Sequence, residues 1–132
     1  MASHVFDSLL IAVSFLFITE GSQVVVFGIG CVGLSVLQGA REKKCPKIIA
    51  VDVNSGKAEL AKKFGATDFV NPKDLPKGQT IVEKIIEMTD GGADFTFDAT
   101  GNVQVMRDAL ECCHKGESHA PVPSSLSLTT VP

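Results

Sequence analysis

The chain has 132 residues, of which 45% are hydrophobic and 20% are charged, and this composition is typical of one globular α/β domain. Its net charge of −3 comes from 12 basic and 15 acidic residues that are interspersed along the sequence. This pattern argues against nucleic acid or an anionic membrane surface as a partner.

Residues 1–20 form an apolar N-terminal extension, in which residues 9–18 carry no charge. That run is shorter than the ~20 apolar residues that cross a bilayer. It has the length of the hydrophobic part of a signal peptide, but no Lys or Arg precedes it, Asp7 lies at its edge and no small-residue cleavage site follows. Three interpretations stay open: a packed apolar helix, an extension absent from the natural product, and a targeting segment.

A short apolar strand predicted at residues 23–27 leads into a glycine-rich turn with the spacing G-x-G-x-x-G, from Gly28 to Gly33. In dinucleotide-binding turns the first glycine permits the tight turn, the second lets the backbone approach a pyrophosphate, and the third lets the next helix pack closely. The helix predicted at 31–41 directs unpaired N–H groups and the positive end of its dipole at this turn, which favours an anion.

A second buried strand is predicted at residues 47–53, and Asp52 near its end lies 19 residues after Gly33. A carboxylate at this spacing accepts a hydrogen bond from a ribose 2′-hydroxyl and repels a 2′-phosphate, so the sequence favours NAD over NADP. The turn alone is weak evidence, because structural turns and the S-adenosylmethionine sites of methyltransferases have similar patterns. The strand before it, the helix after it and the acid together favour a dinucleotide.

After residue 53 the predicted helices and strands continue to alternate. One helix is predicted at residues 56–64 and ends at Gly65. A second runs from a capping box at residues 80–83 to about residue 89, and a third begins after the cap residue Asn102. Strands are predicted at residues 68–71 and 93–99. This order predicts an α/β fold with a doubly wound parallel sheet (Rossmann) of strand order 3-2-1-4. Ligands of such sheets bind between the first and fourth strands, so residues 28–33, 52 and 100–102 are expected around one cleft.

Residues 117–132 are rich in Ser, Pro and Thr without periodicity and are predicted to be a disordered tail, which leaves a partial nucleotide-binding domain at 21–116. No fifth strand is predicted after the last helix. The fourth strand would then have an unpaired edge carrying Phe95 and Phe97 beside uncovered helix surface, and such an edge promotes self-association.

The cysteines do not have the spacing of a disulfide framework or a zinc knuckle, so we expect reduced structural thiols and a cytoplasmic protein. They are Cys31, Cys45, Cys112 and Cys113. The run from Cys112 to His114 suggests a metal site, but neighbouring residues of a helix point about 100° apart and do not converge readily on one ion.

Five segments of the chain carry a more specific pattern: FGIGCVGLSV at 27–36, IIAVDVN at 48–54, KKFGATDFVNP at 62–72, EMTDGG at 87–92, and 101–116, which begins GNV and ends CHKG. With them the chain resembles the zinc-dependent medium-chain alcohol dehydrogenases, and most of all class III, the S-(hydroxymethyl)glutathione dehydrogenases. The resemblance covers residues 21–116.

This resemblance implies that NAD binds the domain, with Asp52 and Lys57 at the adenosine ribose and the glycine-rich turn at the pyrophosphate. The predicted cofactor-binding residues, including those of the expected cleft, are Gly28, Ile29, Gly30, Cys31, Val32, Gly33, Asp52, Lys57, Thr100 and Gly101. The resemblance also implies a catalytic zinc, but its ligands belong to segments that this sequence does not contain. No catalytic residue is therefore assigned, and none of His4, His114 and His119 is assigned to zinc.

Two hypotheses about function follow. The first is the coenzyme-binding portion of an NAD-dependent zinc alcohol dehydrogenase that oxidises S-(hydroxymethyl)glutathione in formaldehyde detoxification, with the isolated chain catalytically incompetent. The second is a truncated nucleotide-binding module, or a nonfunctional fragment from gene prediction, without catalysis. Genomic sequence that encodes zinc ligands on either side of this segment distinguishes the two.

Overall fold

The computed structural model describes residues 18–113 and the backbone of residues 125–127. Strands and helices alternate in the order β1 (Gln23–Phe27), α1 (Cys31–Glu42), β2 (Lys47–Val51), α2 (Ala58–Lys63), β3 (Asp68–Val70), α3 (Ile81–Thr89), β4 (Phe95–Asp98), α4 (Val103–Glu111) and β5 (Ser125–Ser127). Two 3-10 turns, Ser55–Lys57 and Pro72–Asp74, precede α2 and follow β3. Within these described ranges no helix is long and apolar enough to cross a membrane.

The strands form one parallel sheet with the order β3-β2-β1-β4-β5. The central strand β1 has residues 24–27 buried, as expected for a parallel strand that is covered on both faces. The predicted doubly wound sheet with the order 3-2-1-4 is confirmed. The order reverses between β1 and β4, and this reversal opens a crevice at the carboxyl ends of these strands.

Two apolar clusters lie on the two faces of the sheet. The cluster beneath α1 includes Val26, Leu37 and Phe97, and the cluster beneath α3 and α4 includes Phe27 and Ile85. Ile18 is 1% exposed and belongs to the first cluster, so the packed domain includes this residue of the predicted N-terminal extension. Residues 1–17, which hold the rest of that extension, lie outside the described part.

Side-chain caps fix the starts of α3 and α4. Thr80 Oγ1 accepts a hydrogen bond from Glu83 N at 3.1 Å, which confirms that half of the predicted capping box. The Glu83 carboxylate contacts the Thr80 hydroxyl at 3.3 Å rather than its backbone N–H. The predicted cap at Asn102 is also confirmed, because its Oδ1 accepts from Gln104 N at 2.8 Å and Val105 N at 3.3 Å.

The prediction that no fifth strand follows the last helix is wrong. β5 pairs in parallel with β4 and aligns residues 125–127 with residues 96–98. The predicted unpaired edge of β4 is therefore wrong for residues 96–98. The disorder predicted for the tail stays a prediction. A strand edge bonds through its backbone. Residues 125–128, Ser-Leu-Ser-Leu, alternate polar and apolar side chains, and the prediction of a tail without periodicity overlooks this short strand signal. The remaining tail, residues 117–124 and 128–132, lies outside the described residues.

Removal of β5 tests its contribution. A chain that ends at Gly116 exposes the backbone edge of β4, so we expect it to self-associate more strongly than the full chain. Size-exclusion chromatography over a tenfold range of concentration measures the difference. A chain that ends at Ser127 keeps the strand and serves as the control. Equal elution of the two truncated chains at every concentration would show that β5 does not protect the edge.

Candidate nucleotide-binding site

The turn between β1 and α1 requires glycine at two positions. Gly28 has a φ of +93°, and a Cβ there would lie 2.8 Å from Thr100 Cγ2. At Gly33 a Cβ would lie only 1.9 Å from the carbonyl oxygen of Gly28. Helix α1 therefore starts as close to β1 as the backbone permits, which is the role predicted for the third glycine of the pattern.

Gly30 is different, because apart from its two chain neighbours no atom of the described residues lies within 4 Å of a Cβ built on it. Its φ of −97° is available to any residue, so neither packing nor the backbone requires glycine here. Gly30 is also the N-cap of α1 and provides no side-chain hydrogen bond to the first turn. The open space and the uncapped N–H groups at a helix N-terminus together fit a pyrophosphate.

Asp52 connects the end of β2 to this turn. Its Oδ2 accepts a hydrogen bond from Ile29 N at 2.9 Å, and its Oδ1 accepts from Asn54 N at 2.9 Å. Each carboxylate oxygen can accept more than one hydrogen bond, so acceptor capacity for a ribose hydroxyl remains. The sequence spacing predicts Asp52 only as a ligand residue, whereas the structure adds a second role, which is to hold the backbone of the glycine-rich turn.

A cavity of about 390 Å³ opens beside Asp52 at the point where the strand order reverses. The predicted residues Gly28, Asp52 and Thr100 all line it, so the structure brings them together as the topology predicted. The other lining residues are Phe27, Val51, Val53, Pro72, Ile81, Asn102, Val105 and Asp108. The cavity thus combines a largely apolar wall with a few polar groups, a combination typical of small-molecule sites.

Asp98, the last residue of β4, supports one wall of the cavity and was missed by the sequence analysis. Its side chain is 1% exposed, and its Oδ1 accepts from Thr100 N at 2.9 Å and from Thr100 Oγ1 at 2.6 Å. Thr100 Oγ1 in turn accepts from Asn102 N at 3.2 Å. The register pairs Asp98 with Phe27, directly before the glycine-rich turn, and this alignment of distant strands is not given by the sequence spacing.

The family of the chain follows from its similarity to known proteins. The profile of the zinc-binding dehydrogenases matches residues 31–122. The chain belongs to the zinc-binding dehydrogenase family.

Relatives of this zinc-binding dehydrogenase chain agree with the family. It is 65% identical over 100 residues to the S-(hydroxymethyl)glutathione dehydrogenase of Saccharomyces cerevisiae, a match that covers 75% of this chain and 26% of that protein. It is 54% identical over 100 residues to the class-3 alcohol dehydrogenase of Dictyostelium discoideum, with the same coverage. The chain therefore spans about a quarter of the length of these relatives.

Solved structures of the family share the fold. The benzyl alcohol dehydrogenase from Acinetobacter calcoaceticus superposes with a TM-score of 0.70 at 28% sequence identity. That superposition covers 92% of this chain and 39% of the other.

The other predicted cofactor residues lie near the cavity but differ in whether they are exposed or have a free group that could contact a ligand. Ile29 is 1% exposed and its N–H already donates to Asp52, so it has no backbone donor left for a ligand. Cys31 is exposed at the start of α1, and Val32 is half-buried beside it. Lys57 and Gly101 do not line the cavity, although the turns that carry them adjoin it. The roles of all these residues in binding stay predictions.

The cysteine thiols and possible metal ligands of residues 18–113 have defined environments. Cys31 is exposed, whereas Cys45, Cys112 and Cys113 are buried, and these four described cysteines form no disulfide with one another. Burial, and secondarily the nearby charge of Asp108, raises the pKa of the Cys112 thiol to about 12, so this thiol is neutral at physiological pH. Among the described residues no group of three His, Cys, Asp or Glu side chains could hold a metal ion. These residues therefore do not fit a zinc site.

The different environments of Gly33 and Gly30 give a direct test of the turn. Helix propensity alone predicts that Gly33→Ala stabilises the chain by about 1 kcal/mol, whereas the overlap with the Gly28 carbonyl predicts a loss of roughly 1–3 kcal/mol. Gly30→Ala is the matched control and should change stability by less than about 1 kcal/mol, since its Cβ enters open space. Urea denaturation measures both variants. Stabilisation by Gly33→Ala would contradict the close approach of helix and strand.

Proposed function

We propose that this chain binds the ADP-ribose part of NAD in the cavity between β1, β2 and α4. The observation that carries the proposal is that the cavity adjoins the glycine-rich turn. Gly28 of the turn lines the cavity, and Asp52, which also lines it, accepts a hydrogen bond from the turn at Ile29 N. A dinucleotide needs an anion site beside a ribose acceptor and a base pocket. In this proposal the glycine-rich turn is the anion site, Asp52 is the ribose acceptor and the adjoining cavity is the base pocket.

In this proposal the pyrophosphate lies over Gly30 and accepts hydrogen bonds from the N–H groups of Cys31 and Val32 at the start of α1. Asp52 accepts from the adenosine ribose, and Lys57, in the turn after β2, lies beside the same sugar. Thr100 and Gly101 line the side of the dinucleotide that is nearer to β4. The acid at position 52 disfavours the 2′-phosphate of NADP by charge repulsion.

We further propose that the intact protein is an NAD-dependent zinc alcohol dehydrogenase that oxidises S-(hydroxymethyl)glutathione, and thereby acts in formaldehyde detoxification in the cytoplasm. The support is the 65% identity to a yeast protein of that name, together with the family match. NAD supplies the hydride acceptor of such an oxidation. The alternative is a nucleotide-binding module without catalysis, which would use the same cavity.

Ligand binding by the 132-residue chain tests the first proposal. Because only the adenosine half has its contacts here, calorimetry should show ADP-ribose binding about as tightly as NAD. Asp52→Asn should weaken the binding of both ligands about tenfold or more, because it removes a charged acceptor. It also places an NH₂ group opposite the N–H of Ile29 or of Asn54, where an acceptor is needed. Gly30→Ala should weaken both as well, because its methyl group occupies the proposed phosphate space.

Glu59→Gln, an exposed substitution on α2, is the matched control for the loss of charge. A strong preference for NAD over ADP-ribose, or unchanged binding by Asp52→Asn, would contradict the proposed arrangement.

Catalysis gives a separate prediction. The chain supplied with zinc, NAD and S-(hydroxymethyl)glutathione should produce no NADH, because its described residues contain no cluster that could hold the zinc. Absorbance of NADH measures turnover, and the same mixture without zinc is the control. Zinc-dependent turnover by the pure chain would show that these 132 residues contain a complete catalytic site.

A further inference from the structure

The cavity has a second acidic residue in its lining, Asp108 of α4, to which the proposed contacts of ribose and pyrophosphate give no role. Asp108 is half-buried and lies in the second turn of its helix, on the β4 side of the cavity. Asp52 borders the same cavity from the end of β2, on the other side of β1. The two carboxylates therefore border the cavity from different sides.

The geometry of a nucleotide determines which ligand group can reach Asp108, if the proposed function is correct. The ribose lies at Asp52 and the phosphates lie at the glycine-rich turn, so the base, which is attached beside the 2′-hydroxyl, extends into the remaining cavity. The apolar side chains of Val53, Pro72, Ile81 and Val105 border that space and are suited to the two faces of a purine. Asp108 is the charged side chain of α4 that borders the same space.

The hydrogen bonds of Asp108 leave it able to contact a ligand. Gln104, one helical turn earlier, donates from Nε2 to Asp108 Oδ1 at 3.1 Å. This exposed bond occupies Oδ1, while in the described part of the chain no hydrogen bond to Oδ2 is observed. A surface pair at this spacing would explain the Gln104 bond, but it gives no role to an acidic residue in the cavity lining.

We propose that Asp108 accepts a hydrogen bond from the 6-amino group of adenine and so makes this site specific for adenine nucleotides. An ionised carboxylate is only an acceptor, and the 6-amino group is the donor at the edge of an adenine ring. Carboxylates accept in the same way from the amino group of cytosine in protein–DNA complexes. A base without this donor leaves the partly desolvated carboxylate without its partner, which is a strong basis for discrimination.

Calorimetry on the full 132-residue chain tests this assignment with ADP and purine riboside 5′-diphosphate. The second ligand has hydrogen in place of the 6-amino donor and keeps all the ring-nitrogen acceptors of the base. Wild type should bind ADP about 10- to 100-fold more tightly, as expected for one hydrogen bond to a charged group. In Asp108→Ala the two affinities should become nearly equal, and Asp108→Asn should reduce the ratio at least severalfold.

Glu111→Gln, an exposed substitution on the same helix, is the control and should keep the wild-type ratio. The ratio separates recognition from a structural effect, because a partly unfolded variant loses affinity for both ligands in parallel. Equal binding of both ligands by wild type, or an unchanged ratio in the two Asp108 variants, overturns the role of Asp108 and leaves the coenzyme site intact. Failure of wild type to bind ADP at all overturns the proposed function and this assignment with it.

Discussion

The contact between α1 and the carbonyl of Gly28 is the constraint on which the rest of the site depends. Only a residue without a Cβ fits at Gly33, so the helix starts directly above the end of β1. This position directs the first N–H groups of α1 into the open space at Gly30. Asp52 adds a hydrogen bond from the neighbouring strand to Ile29 N, which holds the turn against β2. The proposed anion site therefore depends on backbone packing at Gly33 and on the hydrogen bond from Ile29 N to Asp52.

Features that depend on local sequence could be predicted. Continuous apolar runs identified the buried strands, and the glycine spacing identified the turn and its place in the chain. Thr80 and Asn102 marked the starts of two helices, because a cap needs only its own side chain and the next few N–H groups. The strand order followed from short crossovers with a fixed hand. These constraints also sufficed to bring Gly28, Asp52 and Thr100 to one cavity.

Features that depend on register or on backbone pairing could not be predicted. β5 bonds to β4 through main-chain groups, and the short alternation of Ser and Leu at residues 125–128 does not identify its partner strand. The burial of Asp98 depends on its alignment with Phe27, and the place of Asp108 depends on which side of α4 borders the cavity. The bond from Ile29 N to Asp52 requires two distant segments to meet at 2.9 Å. Sequence spacing places such residues in the right region without assigning their partners.

Amide chemical shifts provide the most direct measurement of the central claim, that the glycine-rich turn and the adjoining cavity form one nucleotide site. Titration of ADP-ribose into the ¹⁵N-labelled chain should shift the amide resonances of Gly30, Cys31 and Val32 most, with smaller shifts at Asn54 and Thr100. Saturating shifts at these positions together would agree with the account. Shifts confined to residues outside the turn and the cavity, or no shifts at millimolar ligand, would contradict it.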